Sequence, residues 1–326
     1  MKLPGIPQAV DEFEIIRRYF ARESSGEGIR VGIGDDGAVL IPSRDCDLIS
    51  VVDTLVSGIH FPETLAPADI GYRAVAVNLS DIAAMGARPR WMTLALTLAN
   101  AEPVWLDGFA RGLFEAADEH ALALVGGDTT RGEQTVISVQ IIADVDTGKA
   151  MLRAGAQPGD AIYVTGTVGD AAAGLSILQS GLPRSDDVDY LIRQFTRPAA
   201  RIEAGAAIAS IAHAAIDLSD GLYADLEKLL LASGVAGSLE LADIPLSSQL
   251  TNLMHEDDAL RFALAGGDDY ELCFTASAAE DKIADIGESA GVAITRLGQV
   301  LEGSGLKCTR NGDEYDYQDA GYRHFN

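Results

Sequence analysis

Cysteine is scarce in this 326-residue chain, where Cys46, Cys273 and Cys308 are odd in number and far apart. With no CxxC pair and no Cys/His cluster, neither a disulfide framework nor a structural zinc site is expected, and a reducing cytoplasm suits the chain. Positive charge is scarce too: 24 Lys and Arg stand against 49 Asp and Glu, a formal net charge of −25. Such a field repels nucleic acids and anionic membranes, so no nucleic-acid and no membrane partner is expected, and a polyanionic ligand would need cations as mediators. Long apolar runs are missing. No window of about 18 apolar residues marks a transmembrane helix, and the opening MKLPGIPQAVDEFEIIRRYF lacks the apolar stretch of a signal peptide. Neither GxxxxGK[ST], nor an HRD and DFG pair, nor a GxSxG elbow occurs, which removes the Walker, protein-kinase and α/β-hydrolase readings. No fixed-period repeat suggests a solenoid.

What is present is globular: 48% hydrophobic and 22% charged residues, enough for a core. The length suggests two domains of about 150 residues each. Apolar spacing predicts helices over 10–22, 68–85, 103–120, 170–180, 187–196, 199–213, 221–233, 256–265 and 278–290. Strands are expected at 38–42, 47–53, 91–98, 121–127, 135–145, 161–166, 214–221, 237–241, 269–276 and 293–300. The Gly- and charge-rich stretch DTGKAMLRAGAQPGD (146–160) reads as the boundary, giving domains 1–148 and 149–326. Both halves mix strands and helices, so the class is α/β (α+β).

Carboxylates recur where apolar segments end, often beside glycine. Asp35 and Asp36 sit in GIGDDGAVL, Asp53 ends the strand-like run in SVVDT, Asp128 follows LVGG, Asp217 and Asp220 flank a strand end in AIDLSDGL, and Asp268 and Asp269 follow LAGG. Turn and cap chemistry accounts for any one of them alone. Asp81 resists that account, because it lies among Leu79, Ile82 and Ala83 in a helical pattern, with Asn78 one turn earlier. The alternative is convergence on hard cations: Mg²⁺ prefers carboxylate oxygens and is shared with substrate phosphates, and glycines let the backbone approach phosphate oxygens. Phosphoryl transfer is the chemistry that needs such an arrangement. GTVGDAAAG (166–174) resembles a glycine-rich turn into a helix, His60 reads first as a packed histidine, and Arg131 and Arg153 are the basic residues nearest the acidic motifs.

The ordered set GIGDDGAVL, DTLVSGIHF, AVNLSDIAAMGARP, GGDTTRG, YVTGTVGDAAAG, AIDLSDGL, GGDDYELCF and GYRHF resembles the thiamine-monophosphate kinase family, from about residue 10 to the C-terminus. The resemblance implies a two-domain PurM-like fold. In it, the N-terminal domain forms a shared β-barrel-like dimer core and a C-terminal α/β domain completes the active-site cleft. It implies ATP as co-substrate, several Mg²⁺ ions, thiamine monophosphate as acceptor and a homodimer. Carried over motif by motif, the metal ligands would be Asp35, Asp36, Asp53, Asp81, Asp128, Asp217 and Asp220, with Asp53, Asp128 and Asp220 at the chemistry. ATP would meet Gly127, Asp128, Arg153 and Ser219, and the thiamine phosphate would meet His60, Asp268 and Tyr322. The chain departs from the family pattern where Asp268, with its shorter reach, replaces a glutamate, and where Val51-Val52 stand in place of a hydroxyl residue before Asp53. The acceptor is already an anion, so no general base is required, and direct in-line transfer by positioning and metal electrostatics is expected.

Relatives with other substrates are the competing readings. A selenophosphate synthetase would carry a reactive Cys near its N-terminal glycines, and the first 45 residues have none. The hydrogenase-maturation relative ends in cysteine, whereas this chain ends RHFN. A non-enzymatic acidic dimer holding divalent ions would lack nucleotide binding, and no EF-hand spacing supports it.

Overall fold

The computed structural model describes residues 12–22 and 26–317. A short helix α1 (Glu12–Ile15) runs on as one π turn over Ile16–Phe20 and buries Ile15, Tyr19 and Phe20. Strands β1 (Ile29–Val31) and β2 (Val39–Leu40) pair antiparallel, so the GIGDDGA segment is the loop between them. Four longer strands follow: β3 (Cys46–Val56), β4 (Arg88–Leu98), β5 (Ala123–Arg131) and β6 (Val136–Asp146). They form one sheet in the order β3-β6-β4-β5, with β4 and β5 parallel. Helices α2 (Pro67–Ala84) and α3 (Pro103–Glu119) connect them; Pro103 occupies the first turn of α3, where its missing N–H has no partner to lose. The two helices touch closely because Gly112 has no Cβ, which would collide with the Ala68 carbonyl.

The chain packs as two units. One comprises the residues up to Arg44, Ser50–Asn78 and Pro89–Ile142; the other comprises Asp45–Ile49, Leu79–Arg88 and the residues from Ala143 on. In the second unit, β7 (Ala161–Thr165), β8 (Ala214–Asp217), β9 (Ala236–Glu240), β10 (Leu272–Ala276), β11 (Ile294–Leu301), β12 (Gly305–Arg310) and β13 (Asp313–Tyr315) form a sheet ordered β13-β12-β9-β11-β7-β10-β8. Its pairs are antiparallel apart from β9 with β12. Among the described residues of this unit seven helices accompany the sheet: α4 (Asp170–Ser180), α5 (Asp186–Thr196), α6 (Ile202–Ile208), α7 (Leu222–Ser233), α8 (Ser248–Leu253), α9 (Glu256–Ala265) and α10 (Glu280–Ala290). Ile162, Val164, Leu226, Leu229, Leu239 and Leu297 make its main core. The mixed α/β class expected from the sequence is the class observed. The helix expected over 199–213 is shorter, Ile202–Ile208, and the His213 N–H donates to Thr275 O at 2.8 Å as the chain enters β8.

Candidate functional site

In the N-terminal unit, the β1–β2 loop and β5 wall a cavity of about 460 Å³. Phe13, Ile16, Phe20, Leu94 and Leu124 line its apolar side, and Gly34–Ala38 with Gly126–Thr129 its polar side. Asp35, Asp36, Gly127 and Asp128, four of the expected site residues, therefore face one space. Asp35 and Asp36 are exposed, and the Asp36 N–H donates to Asp35 Oδ1 at 2.9 Å, a turn bond that fixes one carboxylate beside the other. Asp128 does not follow its strand as expected: β5 continues through it to Arg131, and it pairs with Ala95 of β4. The preceding glycine has a packing reason. Gly127 adopts φ +154°, and a Cβ there would collide with the Leu94 carbonyl, next to the register shift at Met92/Thr93. The same closeness leaves bare backbone at the cavity.

Asp53 is also inside a strand rather than at its end, because β3 runs on to Val56. Its N–H donates to Oδ1 of the fully buried Asn78 at 2.9 Å, and Asn78 Nδ2 donates to Ala74 O at 3.0 Å. Asn78 thus ties β3 to α2 at the expected site residue, a role that sequence spacing alone did not assign. The strand order sets β3 and β5 at opposite edges of the sheet. Three inter-strand steps of about 4.8 Å set the strands of Asp53 and Asp128 roughly 14 Å apart. His60 lies in the tight Ser57–Phe61 loop, where its Nδ1 accepts the Val56 N–H at 3.0 Å. A backbone N–H can only donate, so the ring proton sits on Nε2.

In the second unit, Asp217 ends β8 almost fully buried and accepts from Ser80 Oγ at 2.8 Å, with the half-buried Asp81 adjacent on α2. The turn after β8 and the GGDDYEL loop are stitched together by Asp268 N–H to Ser219 O at 3.0 Å and Tyr270 N–H to Leu218 O at 2.8 Å. Asp217, Ser219, Asp220 and Asp268 are thereby gathered. Asp268 and Tyr270 hold φ +76° and +52°, uncommon for residues other than glycine, and the Tyr270 hydroxyl donates to Asp268 Oδ1 at 3.2 Å. The Asp220 carboxylate is paired with Lys228, which sequence reasoning missed. Arg153 is exposed in the loop before β7, where its carbonyl accepts from Ser233 Oγ at 2.9 Å. Among the described residues no hydrogen bond or ion pair joins its side chain to Ser219 or Asp220. Tyr322 lies outside the described residues.

The GTVGDAAAG turn carries a different chemistry from a phosphate loop. Asp269 accepts the N–H groups of Gly169 and Ala171 at 2.6 and 3.1 Å, so a carboxylate already caps α4. Around it, Asp170 accepts from Thr167 and Ser247, both at 2.6 Å, and Glu271 accepts a bidentate Arg201 and Thr165 Oγ1. Burial pushes the Asp269 pKa well above the carboxylate range despite its two backbone donors, and the neighbouring charges of Asp170 and Glu271 add to the rise. Burial raises Asp170 and Glu271 as well, against their hydroxyl and Arg201 partners. Partners 70 to 106 residues apart leave no local signal, which is why the sequence did not reveal this network.

Among the described residues no three Asp, Glu, His or Cys side chains are close enough to hold a metal ion alone. The donors at the cavity, Asp35, Asp36 and Asp128, are all hard oxygens. They fit a cation such as Mg²⁺ that completes its shell with water and phosphate.

The chain, built of two α/β units, is an AIR synthase related protein. Residues 34–145 match the N-terminal domain of that family and residues 157–311 its C-terminal domain. The thiamine-monophosphate kinase of Escherichia coli (strain K12) is 46% identical over 323 residues, spanning 97% of this chain and 99% of the relative. A crystal structure of thiamine-monophosphate kinase from Stenotrophomonas maltophilia K279a aligns with a TM-score of 0.84 at 44% identity, covering 89% of this chain and 93% of that one. AaThiL complexed with AMPPCP and TMP aligns with a TM-score of 0.79 at 31% identity, covering 90% and 92%. The chain belongs to the thiamine-monophosphate kinase family.

Proposed function

We propose that this chain transfers the γ-phosphoryl group of ATP to thiamine monophosphate, yielding thiamine diphosphate and ADP, as a cytoplasmic homodimer using Mg²⁺. The reading is carried by the cavity that gathers Asp35, Asp36, Gly127 and Asp128 in a chain 46% identical to a thiamine-monophosphate kinase. Mg²⁺, when bound, neutralises charge on the transferring group. In this reading Asp35, Asp36, Asp53 and Asp128 of the first unit and Asp81 and Asp217 of the second hold the cations. Gly127, Arg153 and Ser219 take nucleotide, and His60 and Asp268 contact the thiamine phosphate. The acceptor phosphate is its own nucleophile, so the side chains orient and neutralise rather than abstract a proton.

The homodimer has two physical supports. One face of the four-stranded sheet carries Val52, which is 62% exposed, among polar groups that satisfy one another: Thr54 with Ser138 at 2.7 Å, Gln140 with Ser50 at 3.0 Å, and Thr97 with Thr130 at 3.0 Å. A face whose polar atoms are already paired can be buried at little penalty. The sheet also ends in β3 and β5, two long edge strands, which edge-to-edge closure of two sheets would cover. Such closure would bring β3 of one protomer, which carries Asp53, beside β5 of its partner, which carries Asp128. Three unpaired cysteines, with the thiols of Cys273 and Cys308 pushed by burial to about 12 and about 11, suit a reducing compartment.

Calorimetric titration with AMPPCP tests the nucleotide site. Binding is expected with MgCl₂ and is expected to weaken sharply in EDTA and in the Asp128→Asn variant. No binding in the presence of Mg²⁺ would favour a non-enzymatic metal-binding dimer.

A further inference from the structure

Helix α7 places Lys228 one turn after Asp225, on the same face. Asp225 is only 1% exposed, and its Oδ2 accepts the N–H groups of both Ser219 and Asp220, at 2.9 and 2.8 Å. Its Oδ1 accepts from Lys228 Nζ at 2.8 Å, and the same ammonium reaches Asp220 Oδ2. One lysine therefore balances two carboxylates and, through Asp225, fixes both backbone N–H groups of the turn. A carboxylate with a tethered cation at hydrogen-bond distance has lost most of its attraction for a second cation.

We propose that Lys228 is the resident cation of the Ser219–Asp220 turn in this chain, and that Asp220 is a positioning residue held by it rather than a ligand to Mg²⁺. This rests on the metal-dependent kinase reading and revises the role that family resemblance implies for Asp220. The turn keeps its shape before nucleotide arrives, and Ser219 is presented without a metal ion beneath it.

The test counts Mn²⁺ ions bound per chain by electron paramagnetic resonance, with AMPPCP and thiamine monophosphate present. Asp220→Asn is expected to bind as many ions as the wild type, and Lys228→Arg likewise. Lys228→Met, which unmasks Asp220, is expected to gain one ion, and Asp220→Asn on top of it to lose that ion again. Asp220 is about one-third exposed, so the Asp220→Asn variant is expected to fold whatever Lys228→Met does. Loss of one ion in Asp220→Asn alone overturns the proposal, as does a folded Lys228→Met that gains none. No nucleotide-dependent Mn²⁺ binding in the wild type overturns the kinase reading and this proposal with it.

Discussion

Asp53→Ala and Asp128→Ala each remove a carboxylate from an edge strand, and each variant alone is expected to lose roughly 100-fold or more in kcat. Their positions make the mixture informative. Within one sheet, β6 and β4 hold their strands about 14 Å apart, whereas two oxygens on the same Mg²⁺ lie within about 4 Å, given Mg–O distances near 2.1 Å. One chain cannot bring both to the same ion. In the proposed symmetric dimer, with sheets meeting edge to edge, each site would take Asp53 from one protomer and Asp128 from the other. A mixed dimer of the two variants then has one site carrying both lesions and one intact. Random reassortment makes half the dimers mixed, so about a quarter of wild-type activity should return. The assay is thiamine diphosphate formation after subunit exchange, with mixed dimers counted by native mass spectrometry. Mixed dimers without recovered activity would refute the shared-site reasoning, because single-chain sites leave every site with one lesion.

Three further outcomes follow from named contacts. Gly127→Ala sets a Cβ against the Leu94 carbonyl at φ +154° and should destabilise the fold by about 1–3 kcal/mol, read from urea unfolding. Asn78→Ala leaves the Asp53 N–H without its 2.9 Å acceptor and should cost about 1–3 kcal/mol, with a loss of kcat exceeding any rise in KM. Asp269→Asn tests the raised carboxylate at the α4 N-terminus. A pKa raised above the unfolded value of about 3.9 gives stability that is fully present below that pH and lost as pH rises through the folded value. The wild type should therefore lose melting temperature relative to the Asn variant as pH rises above about 4, and a pH-independent difference would contradict the assignment.

Much of this architecture was legible because burial follows period. The runs at 91–98, 135–145 and 161–166 appear as β4, β6 and β7, and the helical spacing at 68–85 appears as α2. Strand ends were less legible where they carry carboxylates. Asp is depleted in strands, so Asp53 and Asp128 look like terminators in the sequence, but both occupy edge strands, where a charged side chain still reaches water. The β12–β13 hairpin escaped a reading by apolar runs, although Asn311-Gly312 supplies its turn with φ +55° and +85°. At the site, glycine beside a carboxylate marked the Asp35–Asp36 and Gly127–Asp128 walls. What the sequence could not disclose is where each charge finds its partner. Glu271 meets Arg201 from 70 residues away, and Lys228 reaches across a turn to Asp220.

The most direct measurement is product analysis after incubating the protein with ATP, MgCl₂ and thiamine monophosphate, with thiamine and no-acceptor controls. Thiamine diphosphate and ADP are expected in equal amounts, only with the monophosphate and only with Mg²⁺. ADP without thiamine diphosphate, or thiamine diphosphate formed equally well in EDTA, would contradict the account.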